Sequence, residues 1–226
     1  MRYEAPETVE EAVRLLSEEA GLAKALSGGT DLLVQLRMGM VEPDLIVDTK
    51  RIPGFGDIVS EDGGYRVGGA VPSAELNEHE GFLAMYPGVA EGADLIGSTQ
   101  VQGRATLTGN LCNAGPAADS VPCMVAVGAM ARVAGANGKR DVAVEDIPVA
   151  PGKTSLAKGE LVESIFFPEK PARTGDAYLR FIPRTEMDIA VVGCGICLTL
   201  DENDVCIAAK VALGAVAIKV IVVDEA

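Results

Sequence analysis

The chain has 226 residues, of which 48% are hydrophobic and 23% charged, and its formal net charge is −14. That length suits one large or two small domains with a real core. A surface this acidic repels phosphate backbones and argues against nucleic acid as a partner, and no apolar run reaches the ~18–20 residues of a membrane span. Aromatic residues make up 4% and Trp is absent, so Ala, Val, Leu and Ile must build the core. The first eleven residues lack a basic stretch followed by an apolar one, so no secretory signal is expected. Five Cys without framework spacing read as reduced thiols of a cytoplasmic protein. A single His removes most His-dependent catalysis and most zinc sites.

In chain order, Thr8 to Ala20 predicts a helix. Thr8 and Glu11 have capping-box spacing, Val9, Ala12, Val13 and Leu16 share one face, and Gly21 ends it. Ala23 to Leu26 predicts a short strand. Ser27 to Asp31 is a tight turn, with Thr30 or Asp31 placed to cap a helix running to about Met38. Asp44 to Asp48 has strand composition. Tyr65 to Val71 predicts a strand, Ser73 with Leu76 opens a short helix, and Phe82 to Ile96 predicts another. Gln100 to Pro122 reads as a long loop of small polar residues, too long for an ordinary connection and therefore functional. Asp119 to Ala129 predicts a helix. Ala131 to Ala134 and Asp141 to Val144 predict a hairpin around Gly135 to Gly138. After Pro151 the pattern is all strand: Leu161–Phe167, Ala177–Ile182, Ile189–Leu200, Cys206–Ala217, and one more short strand before an acidic end. Gly- and Pro-rich stretches near Ile52–Gly56 and Pro168–Gly175 suggest boundaries that give units at 1–54, 55–170 and 171–226. The fold class is α+β.

Two loops carry the possible chemistry. Gly28-Gly29 lies between a predicted strand and helix, where consecutive N–H groups can converge on an anion; a plain tight turn is the alternative. Ala105-Thr106-Leu107-Thr108-Gly109-Asn110 offers hydroxyls, a glycine and an amide without a cation. It could take the other side of a pyrophosphate or be an ordinary surface loop. Other motifs fail. Gly152-Lys153-Thr154 lacks the leading glycine of a Walker A loop, since Ile147 stands there. Gly193-Cys194-Gly195 lacks the third glycine of a dinucleotide fingerprint, with Leu198 in its place. Cys194 and Cys197 read as buried structural thiols, His79 as a solvent-exposed residue, and Arg180 and Arg184 as surface cations or partners of a flavin or phosphate.

Leu26-Ser27-Gly28-Gly29-Thr30-Asp31-Leu32-Leu33 resembles the first FAD-pyrophosphate loop of the flavin-binding medium subunits of molybdenum hydroxylases, the carbon monoxide dehydrogenase, xanthine dehydrogenase and 4-hydroxybenzoyl-CoA reductase type. Ile96 to Pro122 resembles the second loop of that family, and Pro151–Thr154 and Met187–Val192 match in order. The resemblance implies an FAD-binding fold of the vanillyl-alcohol-oxidase (PCMH) type, with a shortened, β-rich C-terminal domain because family members continue past Ala212–Ala217. It implies that Leu26, Ser27, Gly28, Gly29, Thr30 and Asp31 wrap the pyrophosphate, that Thr106, Gly109 and Asn110 take its other side, that Asp119 holds the ribityl or flavin region, and that Val162 and Arg180 lie near the flavin. No residue is expected to be a catalytic acid or base, and no metal site is expected.

Two glycines common in the family's second loop are Ala105 and Thr108 here. A left-handed backbone at Thr108 would be strained by about 1–3 kcal/mol. The resemblance implies an FAD-dependent electron-transfer subunit. An iron–sulfur small subunit would feed it, a molybdopterin large subunit would oxidise the substrate, and NAD or a quinone would accept the electrons. A scaffold subunit that has lost FAD is the alternative, and a free-standing flavin oxidase ranks last.

Overall fold

The computed structural model describes residues 1–185 and 187–223; the acidic end at 224–226 lies outside the described residues. The chain opens with β1 (Arg2–Glu4), α1 (Val9–Glu18), β2 (Ala23–Leu26), α2 (Leu32–Arg37) and β3 (Leu45–Asp48). These three strands form a sheet in the order β1-β3-β2, and both pairings are parallel. The Thr8 hydroxyl accepts from the Glu11 N–H and starts α1 as its spacing predicts. Ala12, Val13 and Leu16 of α1 are buried against Leu45 and Val47 of β3, and the same cluster takes in Phe55, Ala134 and Leu161 from the next part of the chain. The first sheet is thus seated on the second through one shared core.

The middle part runs β4 (Ile58–Glu61), β5 (Gly64–Gly68), α3 (Ser73–Glu78), α4 (Glu80–Met85), α5 (Pro87–Asp94), α6 (Thr99–Gln102), α7 (Leu107–Asn113), α8 (Ser120–Ala126), β6 (Met130–Gly135), β7 (Gly138–Ala143), β8 (Pro148–Ala150), β9 (Lys153–Thr154) and β10 (Leu161–Phe167). Five strands form an antiparallel sheet in the order β4-β5-β10-β6-β7, and β8 pairs with β9. The long helix expected over Phe82–Ile96 is two helices, because Pro87 occupies the first turn of α5 and lacks the N–H that would continue α4. The expected loop over Gln100–Pro122 is also largely helical, holding α6, α7 and the start of α8. The aromatic shortage is met locally: Phe82, Tyr86 and Phe167 are fully buried and stack with centroids 5.0–5.4 Å apart. His79 is half-buried rather than exposed, and its Nδ1 accepts from the Phe82 N–H to cap α4.

The last part is a four-stranded antiparallel sheet, β11 (Thr174–Phe181), β12 (Val192–Leu200), β13 (Cys206–Gly214) and β14 (Ile221–Val222), in chain order. Its inner face sits on α5 and α8. Gly195 allows this approach, since a Cβ there would lie 2.4 Å from the Pro122 carbonyl carbon. Asp176 fixes the contact: its carboxylate accepts from the Gly88 and Val89 N–H groups at 2.9 and 3.3 Å and pairs with Lys170. All five Cys are free. Cys194 and Cys197 are half-buried rather than buried, and a spacing of three on a strand puts them on opposite faces.

Candidate functional site: a cavity between two loops

A cavity of about 460 Å³ opens where the β2–α2 turn meets the segment from α6 to α7, a size typical of small-molecule sites. Leu26, Ser27, Gly28, Gly29, Thr30 and Asp31 line one side, and Thr106, Gly109 and Asn110 line the facing side. Val162 of β10 belongs to a third wall, with Thr154, Leu156 and the turn from Ala157 to Leu161. Nine sequence-distant residues of the two loops are therefore brought together.

The two loops touch backbone to backbone. A Cβ on Gly28 would stand 1.9 Å from the Arg104 carbonyl oxygen, so no other residue fits there. Gly29 has φ +81°, a left-handed conformation costly for a side chain. Among the described residues, the N–H groups of Gly28, Gly29, Thr30 and Asp31 find no acceptor. Four consecutive free donors at a cavity wall form a cradle for an anion.

Hydroxyls lock the loops in register. Ser27 Oγ donates to the Gly69 carbonyl at 2.6 Å, which uses its only hydrogen. In the 3.0 Å contact with Thr106 Oγ1, Thr106 must then be the donor. The same Thr106 oxygen accepts from the Gly109 N–H at 2.8 Å and caps α7. Thr106 is thus spent on holding the loops, whereas Asn110 is not. Ser120 Oγ donates to Asn110 Oδ1 at 2.7 Å, which leaves the amide NH2 for the cavity. Lys50 bridges Asp48 at 2.7 Å and the Ser27 carbonyl at 2.9 Å, so its charge is already paired behind the turn.

Ala105 and Thr108 both lie outside the left-handed region, and Thr108 sits buried in the first turn of α7. The strain expected at Thr108 is absent. Asp119 and Arg180 do not line this cavity. Their side chains pair at 3.0 Å, only 12% and 6% exposed, and the Tyr178 hydroxyl donates to the same carboxylate at 2.9 Å. Burial raises the Asp119 carboxyl above the usual carboxylate range, against the pull of Tyr178 and Arg180. Burial likewise pushes the Tyr178 hydroxyl well up.

Several wall residues had no sequence signal. Gln35 donates to Asn113 Oδ1 at 3.0 Å and ties α2 to α7 across the cavity. Lys24 and Lys158 supply cations at the walls, and Cys112 supplies a thiol that burial pushes up to about 12, which keeps it protonated and inert. A helical reading of residues 107–113, available from the cap spacing Thr106-x-x-Gly109, would have put Thr108 and Cys112 in one wall.

A Gly-Gly cradle of free amides faced by a second loop of neutral donors fits a dinucleotide pyrophosphate, with Asp31 and Glu160 the carboxylates among the lining residues. Together with the fold, the cradle and the facing loop define a flavin-binding subunit, and the chain matches the family described as the FAD binding domain in molybdopterin dehydrogenase over residues 1–170. The chain belongs to that family, and its cofactor is FAD.

Among its relatives, it is 31% identical to the xanthine dehydrogenase FAD-binding subunit of Escherichia coli O157:H7 over 204 residues, 89% of this chain and 70% of that protein. It is 31% identical to the carbon monoxide dehydrogenase medium chain of Hydrogenophaga pseudoflava over 203 residues, 90% of this chain and 70% of that one. A solved carbon monoxide dehydrogenase from Hydrogenophaga pseudoflava, lacking the Mo-pyranopterin moiety of its molybdenum cofactor, superposes with a TM-score of 0.93 at 30% identity, covering 98% of this chain and 77% of that chain.

Proposed function

We propose that this chain is the electron-transfer flavoprotein subunit of a molybdenum hydroxylase-type complex. An iron–sulfur small subunit would supply electrons, a molybdopterin large subunit would oxidise the substrate, and NAD or a quinone would accept the electrons in the end. The observation that carries the reading is the amide cradle at Gly28–Asp31, closed from the other side by the Thr106–Asn110 segment. FAD supplies reversible one- and two-electron chemistry when bound.

The chain's own residues bind and orient. The amides of Gly28 to Asp31 would hold the pyrophosphate, and the Asn110 amide would face it. Ser27 and Thr106 keep the two loops at the spacing a pyrophosphate needs. Val162 and Leu156 give the third wall apolar surface. Asp119, Tyr178 and Arg180 brace α8 and the C-terminal sheet from outside the cavity. The domain division that suits this role places the two loops in units 1–54 and 55–170, with 171–226 as an appended sheet.

Nothing here needs a general acid or base: the one His is engaged as a helix cap, and among the described residues no cluster of His, Cys, Asp and Glu could hold a metal. The scaffold alternative rests on the second-loop substitutions and the short tail; of these, the substitution at Thr108 carries no left-handed strain.

The test is to incubate the purified chain with FAD, remove the excess by gel filtration and record the visible spectrum. Retained flavin bands, lost in Gly28→Ala, are the expected outcome. A colourless wild-type chain, both alone and in its assembled complex, overturns the reading.

A further inference from the structure

The cradle at Gly28–Asp31 needs its first peptide turned one way. The peptide that joins Ser27 to Gly28 carries a carbonyl on one side and the Gly28 N–H on the other. Glycine takes φ of either sign, so nothing within this peptide stops it from flipping. A flipped peptide would swing the N–H out of the cavity and point the Ser27 carbonyl oxygen into it. That oxygen would repel the anion that the N–H attracts.

The backbone is held from behind. β3 runs parallel to β2, with Leu26 paired to Asp48. A short 3-10 turn, Thr49–Arg51, follows, and the Asp48 carboxylate caps it by accepting from the Lys50 N–H at 3.0 Å. Two consecutive side chains of this turn reach two consecutive carbonyls. Thr49 Oγ1 donates to the Leu26 carbonyl at 3.2 Å, and Lys50 Nζ donates to the Ser27 carbonyl at 2.9 Å. Lys50 is itself anchored. Its Nζ lies 2.7 Å from the Asp48 carboxylate, whose side chain is only 8% exposed, and the Tyr3 hydroxyl donates to the same carboxylate. An ammonium has three donors, so the anchor does not compete with the carbonyl.

We propose that Lys50 is a positioning residue of the cofactor site: bonded to the Ser27 carbonyl, it locks this peptide with the Gly28 N–H toward the pyrophosphate. Its charge also acts through the peptide. A charged donor on the carbonyl polarises the whole amide and strengthens the N–H as a donor on the far side. The cradle thus gains from a cation that does not line the cavity. Thr49 steadies the preceding peptide. The inference rests on the reading of Gly28–Asp31 as the pyrophosphate cradle.

FAD titration of the full chain, followed by flavin fluorescence, tests it. Lys50→Met keeps an unbranched side chain and removes the donor. It should weaken FAD binding by about tenfold, the size of one lost charge-assisted bond. A spectroscopic readout separates the lock from mere support of the fold. With the chain labelled with 15N-glycine and no FAD added, the Gly28 amide resonance is identified by its absence in Gly28→Ala. In Lys50→Met it should move or split, while the resonances of Gly68 and Gly195 stay in place. Unchanged FAD affinity in Lys50→Met, or an unmoved Gly28 resonance, overturns the inference. If Gly28→Ala abolishes FAD binding and Lys50→Met spares it, the cradle stands and only the lock falls. If the wild-type chain binds no FAD, or Gly28→Ala binds it as tightly, the cradle reading fails and takes the lock with it.

Discussion

The cavity and the C-terminal sheet solve the problem of close approach in the same way and then diverge. At the cavity, Gly28 lets one loop's backbone touch the carbonyl of Arg104. At the sheet, Gly195 lets a strand lie on Pro122 of α8. In both places a missing Cβ sets the distance. What surrounds the contact then decides its use. Around Gly28 the amides are unpaired and face an opening, so the contact shapes a ligand site. Around Gly195 the strand amides are paired in the ladder and polar side chains are paired below it, so the contact only fixes one element on another. A glycine contact marks a site when it leaves donors over and marks packing when it does not.

The sharpest way to break that distinction is to remove the brace under the sheet. Arg180→Ala leaves the buried Asp119 carboxylate without its cation, a change that costs about 3–5 kcal/mol at a buried pair. Thermal or urea unfolding should show that loss. FAD affinity, measured by flavin fluorescence, should stay within about twofold, because neither side chain lines the cavity. A parallel fall in FAD affinity would instead place the pair beside the flavin, as family resemblance suggests.

Gly28→Ala attacks the other side of the comparison. The new methyl must push the loops apart. Overpacking of this kind costs about 1–3 kcal/mol, and FAD retention should fall at least tenfold. Gly195→Ala is the matched control: it should destabilise by a similar amount and spare FAD.

Thr106→Ala sharpens the comparison on a smaller scale. It deletes the cap of α7 and the bond to Ser27, for a loss of about 0.5–2 kcal/mol. Thr106→Ser should recover most of it, which calorimetry on the three chains can check. Partial recovery of FAD binding along with stability would show that Thr106 acts by holding the loops.

The sequence made the cavity legible where local chemistry speaks. Gly28-Gly29 between a strand and a helix, and Thr106 three residues before Gly109, are signals readable without a structure. The wall from Thr154 to Val162 was mostly invisible, because nothing local places residues fifty positions downstream against either loop. β1 was missed because its three residues are all exposed, and only the parallel pairing of Arg2, Tyr3 and Glu4 with β3 makes them a strand. Residues 100–122 read as loop because small polar residues are weak helix formers; burial of Leu107 and Leu111 in the core overrides that preference. Pro87 was a visible break that the apolar pattern from Phe82 to Ile96 masked. The C-terminal strands were legible from composition, but which face would be covered was not, since both faces of β12 are apolar or small.

The smallest effect concerns the sign of charge at Asp119. Its carboxyl is raised by burial above the range it has in the unfolded chain. A group raised in this way favours the folded state in its protonated form, so the contribution is present at low pH and is lost as pH rises through the folded value. Asp119→Asn removes that titration while keeping an acceptor for Arg180 and Tyr178. Relative to wild type, the Asn chain should therefore gain stability as pH rises from about 4 to 7, and urea midpoints at several pH values measure the difference. Apart from this pH dependence, the substitution leaves the buried Arg180 cation without its carboxylate, so its loss at fixed pH should approach that of Arg180→Ala, softened by the Leu95 and Asp188 carbonyls that also accept from Arg180. If Asp119→Asn instead loses stability as pH rises, the carboxylate is better solvated or better paired than its surroundings indicate. The brace would then rest on the ion pair itself rather than on the packing around it.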